Sequence, residues 1–190
     1  MKRFKNKIVI YDALTKEKIL EKENLVVKSG RVFMLEKLSN MLAPGNVTSN
    51  AERNLIFFSI GSGGTSLGEY DSPLVPLDSD TGLAQPIPFT AWNDGKYCKL
   101  LNSNYYGKFF EEPPASAWDI DDGLNKVSLF YSVKISPTDA RGEVVNEMSF
   151  NFGRLFNGEV LDEGMFSRIT FSSLFLKSNV SYDIMYYIYA

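Results

Sequence analysis

Over residues 126–136 apolar and polar side chains alternate clearly, with Phe130 the exception, and this run constrains the fold more than any other. Val127, Leu129, Tyr131, Val133 and Ile135 share one side, and Ser128, Phe130, Ser132 and Lys134 share the other. Side chains point to opposite faces with period two along a strand, so the run predicts a half-buried β-strand. The pattern returns over 144–152, 165–171 and 181–189. Turn residues separate these runs at Pro137-Thr138-Asp139, Asn157-Gly158 and Lys177-Ser178-Asn179. Short strands with such punctuation predict a mainly β chain, a β-sandwich or barrel-like fold. The 190 residues are expected to form a single domain, 1–190. A chain of this size buries about 70 % of its unfolded surface, enough to fold without a disulfide or metal.

The N-terminal third adds a hairpin and a helix. Residues 4–11 alternate loosely, Asp12-Ala13-Leu14-Thr15 supplies a turn, and 18–27 reads as a second strand. Ser29 is placed to cap a helix. Val32, Phe33, Leu35, Leu38, Met41 and Leu42 recur at helical spacing, with Arg31, Glu36, Lys37, Ser39 and Asn40 opposite, and Pro44-Gly45 ends the run. One amphipathic helix near residues 30–42 is therefore expected. The apolar run Leu55-Ile56-Phe57-Phe58-Ser59-Ile60 predicts a buried strand. It opens into Gly61-Ser62-Gly63-Gly64 and then a long Gly/Pro-rich stretch with Pro73, Pro76, Pro86 and Pro88. Proline has no N–H for a sheet ladder, so residues 61–95 read as a long loop or arm, the kind of segment that serves function or interaction.

Charge is segregated along the chain. Residues 1–53 carry a net +5. Residues 54–95 contain no Lys or Arg and five acids, Glu69, Asp71, Asp78, Asp80 and Asp94. The whole chain has a net charge of −3, which gives no global field for nucleic acid. There is no histidine and only one cysteine, Cys98. A Ser-His-Asp triad, a Cys-His pair, an HExxH zinc helix and a CxxC site are all excluded. The basic start resembles the n-region of a signal peptide, but its apolar run, Ile8 to Tyr11, stops at Asp12. No stretch approaches the ~20 apolar residues of a membrane helix. The expectation is a protein kept in a reducing cytoplasm, with no membrane and no nucleic-acid partner.

The remaining motifs are weaker. The glycines at 61–64 follow a strand as a phosphate loop would. No helix signal follows them, however, and no Gly-Lys-Ser/Thr, so a tight turn or close backbone approach is the better reading. Asp119-Ile120-Asp121-Asp122-Gly123 begins like a calcium loop, but position 129 is Leu where a Glu is needed. Asp78-Ser79-Asp80 is similarly incomplete. Glu111, Glu112, Asp119, Asp121 and Asp122 offer carboxylates for a glycosidase, yet nothing fixes two of them at a catalytic separation. No catalytic residue, cofactor or metal is expected. Trp92, Tyr105, Tyr106, Phe109 and Trp118 crowd one region, and Tyr186, Tyr187 and Tyr189 end the chain. These aromatics are the candidate interface residues, as protein anchors or, in a carbohydrate-binding β-sandwich, as sugar-stacking platforms. An aromatic C-terminal strand is an aggregation hazard if left open, so it is expected to have a sheet partner.

Two stretches carry a resemblance. The first is Asn24-Leu25-Val26-Val27-Lys28-Ser29-Gly30 with the helix after it, then Phe58-Ser59-Ile60-Gly61-Ser62-Gly63-Gly64-Thr65, the prolines, Leu83 and Pro86. The second is Asn146-Glu147-Met148-Ser149-Phe150, then Met165-Phe166-Ser167-Arg168-Ile169-Thr170-Phe171, then the Tyr-rich terminal strand. This ordering resembles small virion structural proteins of tailed bacteriophages, of the tail, baseplate or fibre-attachment type. The resemblance implies a non-enzymatic role, location in a virion after synthesis in the host cytoplasm, and many copies in a homo-oligomer or symmetric assembly with other virion proteins.

Overall fold

The computed structural model describes residues 5–42, 54–66, 72–87, 99–100, 118–121, 126–137, 139, 142–156, 159–175, 177 and 179–189. Among them the chain is mainly β, with ten strands and one helix. In chain order these are β1 (Lys5–Asp12), β2 (Lys18–Val26), α1 (Lys28–Leu42), β3 (Asn54–Gly61), β4 (Pro86–Ile87), β5 (Lys99–Leu100), β6 (Trp118–Asp121), β7 (Lys126–Ile135), β8 (Val144–Phe156), β9 (Glu159–Phe175) and β10 (Tyr182–Tyr189). The chain divides into two compact units. One contains residues 1–24, 88–144 and 174–190, and the other 25–87 and 145–173.

In the first unit the strand order is β2-β1-β10-β7-β6, antiparallel throughout. The β1–β2 hairpin forms where the turn residues predicted it. Asp12 Oδ1 accepts the amides of Leu14 at 2.8 Å and Thr15 at 2.9 Å, and Lys16 takes a left-handed φ of 60° to complete the turn. A bulge follows, because Ile10 pairs with Leu20 but Tyr11 with Lys18. One face of the sheet joins Ile8 and Ile10 to Ile184 and Tyr186, and Ile184 to Val133, all buried. On β7 Val133 and Ile135 are buried and Lys134 is exposed, as the alternation required. The opposite face holds a smaller buried cluster, Val9 and Met185 with Tyr11 and Tyr187 against them, beside charged residues. There Lys7 bonds Glu21 at 2.9 Å, Lys18 bonds Glu21 at 2.5 Å, and Lys7 Nζ lies 5.4 Å from the Tyr187 ring centre.

The second unit has the order β2-β9-β8-β3-β4, with Leu25 opposite Arg168 and Val26 opposite Ser167. β3 lies against β8 with Phe58 opposite Phe150 and Ile60 opposite Met148, a fully buried apolar strip. α1 packs on this sheet through Phe33, whose ring stacks on Phe152 at 4.5 Å and meets Phe166 edge-on at 6.2 Å.

The helix corrects the expectation in two respects. It begins at Lys28, and Ser29 does not cap it but donates to the Met165 carbonyl at 2.6 Å. Of the apolar stripe read from the sequence, over Val32 to Leu38 only Phe33 turns to the buried side. Gly30 and Phe33 are buried, while Val32, Leu35 and Leu38 stand outside at 43 %, 64 % and 51 % exposure. The cause is Gly30. Its missing side chain lets the helix lie flush on the Phe166 backbone, where a Cβ would strike the carbonyl, and that contact fixes the rotation of α1.

Candidate functional site

The second unit holds a buried charged cluster built on neighbouring strands. β8 supplies Asn146 and Glu147, and β9 supplies Arg168. Both strands are buried here and mix apolar with polar side chains; Ser149 and Asn151 are buried on β8, and Ser167 and Thr170 on β9. Glu147 is fully buried and Arg168 is 8 % exposed. Arg168 donates to Glu147 Oε2 from Nε at 3.1 Å and from Nη2 at 2.6 Å, and from Nη1 to Asp80 Oδ2 at 2.8 Å. Burial is the largest influence on the Arg168 guanidinium and opposes its charge. The hydrogen bonds and charges of Asp80 and Glu147 outweigh it and hold the pKa above the ordinary arginine value.

The same carboxylate gathers the glycine loop and the arm after it. Glu147 Oε1 accepts the amides of Gly63 at 3.1 Å and Gln85 at 2.8 Å, and Oε2 accepts that of Ala84 at 3.1 Å. Beside it Asn146 Oδ1 accepts the Gly64 amide at 2.6 Å, and its Nδ2 donates to Thr65 at 3.0 Å. Gly64 has to be glycine, because a Cβ there would run into the Asn146 carbonyl. These glycines are thus used for close backbone approach. Both Glu147 oxygens are engaged by donors of the chain itself, so the group holds chain in place rather than moving a proton.

Further contacts fasten the arm along its length. Leu74 N donates to the Gly64 carbonyl at 2.8 Å, Thr170 Oγ1 donates to the Leu74 carbonyl, and Ser62 N donates to the Gln85 carbonyl at 2.9 Å. At the helix start, Lys28 N donates to the Asp78 carbonyl at 2.9 Å, and Arg31 grips the Asp78 carboxylate at 2.5 and 2.8 Å. The segregated charge of the sequence is therefore closed in space, since acids of the base-free stretch meet arginines from α1 and β9. Asp78 and Asp80, half of an incomplete calcium motif, face arginines instead of an open cation site. Among the described residues no cluster of His, Cys, Asp and Glu is arranged to hold a metal. Between its anchors the arm exposes Leu74 at 41 %, Val75 at 82 % and Leu77 at 59 %.

The aromatic candidates are distributed differently. Trp92, Tyr105, Tyr106 and Phe109 lie outside the described residues. Trp118 opens β6 opposite Leu129, and Tyr189 ends β10 opposite Lys5 and Ser128; only their backbones are described. Tyr186 is fully buried, which corrects its assignment to an interface. β10 is not an edge. It pairs with β1 on one side and β7 on the other, so the sheet partner expected for this strand is supplied by the chain itself, and Tyr186 faces the side shared with Ile8. Tyr187, on the other face, is half-buried beneath Lys7. Sequence reasoning missed Asn146, Glu147, Arg168 and Asp80. The signal was one acid and one base, each the one charge of its run, Glu147 in 144–152 and Arg168 in 165–171.

No helix among the described residues is long and apolar enough to cross a membrane. Compared with known proteins, the chain matches no family, no curated protein and no solved structure.

Proposed function

We propose that this chain is a non-enzymatic structural protein of a tailed-phage virion, of the tail, baseplate or fibre-attachment type. In this reading it works as a β-sandwich or barrel-like scaffold that binds other virion proteins and further copies of itself. One observation carries the reading. A segment without regular structure is fastened by a buried ion-pair cluster, and between its anchors it turns Leu74, Val75 and Leu77 outward. Fixing an irregular segment costs about 1–2 kcal/mol per residue in backbone entropy, and here it leaves apolar side chains in water. An arm held open in this way is suited to burial against a neighbour. Location in the virion, the absence of catalysis and the absence of membrane and nucleic-acid partners belong to the same proposal, and the resemblance to virion proteins supports them.

Antibodies raised against the purified chain test it. They should label phage particles purified from the source lysate at a fixed number of copies per particle. A chain confined to the soluble fraction and missing from particles would overturn the assignment.

A further inference from the structure

The outward part of the arm, Ser72-Pro73-Leu74-Val75-Pro76-Leu77, has a periodicity of its own. Pro73 and Pro76 are half-buried, while Ser72, Leu74, Val75 and Leu77 are exposed, so burial repeats every three residues. No helix or strand covers Leu74 to Leu77. Proline fixes its own φ at about −65° and drives the residue before it, here Ser72 and Val75, to extended conformations. Prolines three apart with a burial period of three match the polyproline II helix, which has three residues per turn. Its proline ridge rests on the protein. Its other two ridges, Leu74 with Leu77 and Ser72 with Val75, face outward.

The backbone groups decide what can bind there. Adding a strand to a sheet edge needs N–H donors at alternate positions. Pro73 and Pro76 have none. The Leu74 amide is bonded to the Gly64 carbonyl at 2.8 Å and the Leu77 amide to Asp80 Oδ2 at 2.9 Å. Across 73–77 this leaves Val75 alone with an N–H to offer, so the arm is not a strand-addition ligand. Acceptors remain. Thr170 Oγ1 donates to the Leu74 carbonyl and the Asp80 amide to that of Leu77, but the carbonyls of Val75 and Pro76 accept no hydrogen bond among the described residues. The acids that follow are matched within the chain, Asp78 by Arg31 and Asp80 by Arg168, so the binding surface needs no charge of its own. What fits is an apolar groove with side-chain N–H or O–H donors, which Trp and Tyr supply together. A second copy does not offer one among its described residues, where the exposed large apolar side chains are all aliphatic.

We propose that residues 73–77 are a polyproline II ligand for a different virion protein, one whose groove is walled by Trp or Tyr rings. The rings receive the Leu74–Leu77 ridge and Val75, and their indole N–H or phenol O–H groups donate to the Val75 and Pro76 carbonyls. This rests on the assembly reading for a neighbour being present, and on the arm alone for that neighbour's chemistry.

Photo-crosslinking within particles tests it. A benzophenone amino acid is placed at Val75 or, separately, at Ser79 in the exposed turn beyond the arm, in the full chain expressed during infection. After irradiation of purified particles, the linked peptide should belong to another virion protein and contain Trp or Tyr. Co-expressed with wild-type chain, Val75→Ser and Leu77→Ser should each enter particles about tenfold less often, since each forfeits the burial of an apolar side chain. Ser79→Ala should enter at parity. The melting temperatures of the isolated variants should match the wild type, because all three side chains are exposed. A link to a peptide without Trp or Tyr, a link to a second copy, or no link from either position in particles that contain the chain overturns the groove and leaves the virion reading in place. So does entry of Val75→Ser and Leu77→Ser at parity. A chain missing from particles overturns both.

Discussion

Glu147→Ala is the perturbation whose size follows most directly from the geometry. The substitution removes the acceptor shared by the amides of Gly63, Ala84 and Gln85 and by Nε and Nη2 of Arg168. Arg168, only 8 % exposed, keeps Asp80 as its other carboxylate partner. Breaking a buried ion pair by removing one partner costs about 3–5 kcal/mol, because the surviving charge stays desolvated. The orphaned amides act in the same direction. A loss of about 4 kcal/mol is a large share of the roughly 5–15 kcal/mol that holds a domain folded. Urea unfolding followed by far-ultraviolet circular dichroism measures it. A double-mutant cycle isolates the pair: Glu147→Gln and Arg168→Met together should cost less than the sum of the single changes by about 1–3 kcal/mol. A loss below about 1 kcal/mol for Glu147→Ala, or strictly additive single changes, would refute the claim that this cluster holds the arm.

Three further outcomes are expected. Gly30→Ala should destabilise in urea titrations, because about 1–3 kcal/mol of overpacking against the Phe166 carbonyl outweighs the roughly 1 kcal/mol gained in helix propensity. Val75→Asp, at a side chain 82 % exposed, should change the unfolding free energy by less than about 0.5 kcal/mol but reduce incorporation into particles. Glu21, hydrogen-bonded by Lys18 and Lys7, has its pKa lowered from 4.5 to about 2. Because the folded value is depressed, its contribution is present above the unfolded value near 4.5 and is lost as pH falls toward 2. The effect is small, since the side chain is 37 % exposed and water screens the pair. The melting-temperature gap between wild type and Glu21→Gln should narrow between pH 6 and pH 2.5, and a gap that stays constant would contradict the pairing.

The sheet was legible in the sequence because strand alternation is a local signal. Lys134 between Val133 and Ile135, and the Asp12 turn, each state their structure within a few residues. The orientation of α1 was not legible. Its apolar spacing pointed Val32, Leu35 and Leu38 inward, but rotation was decided by a tertiary contact, Gly30 on Phe166, that no helical pattern encodes. The site was half legible. The glycines at 61–64 announced close backbone approach without naming what approaches. Nothing in the sequence pairs Glu147 with Arg168 until β8 and β9 are known to be neighbours. Tyr186 erred for the same reason, since terminal aromatics say nothing about a strand being flanked on both sides.

Amide hydrogen exchange on the isolated chain tests the central claim most directly. If the Glu147–Arg168 cluster orders the arm, the amides of Gly63, Leu74, Ala84 and Gln85 are protected in the wild type to a degree approaching those of β3 and β8. The same amides should exchange much faster in Glu147→Gln while β3 and β8 stay protected. Rapid exchange at these amides in the wild type, or protection that survives Glu147→Gln unchanged, would contradict the account.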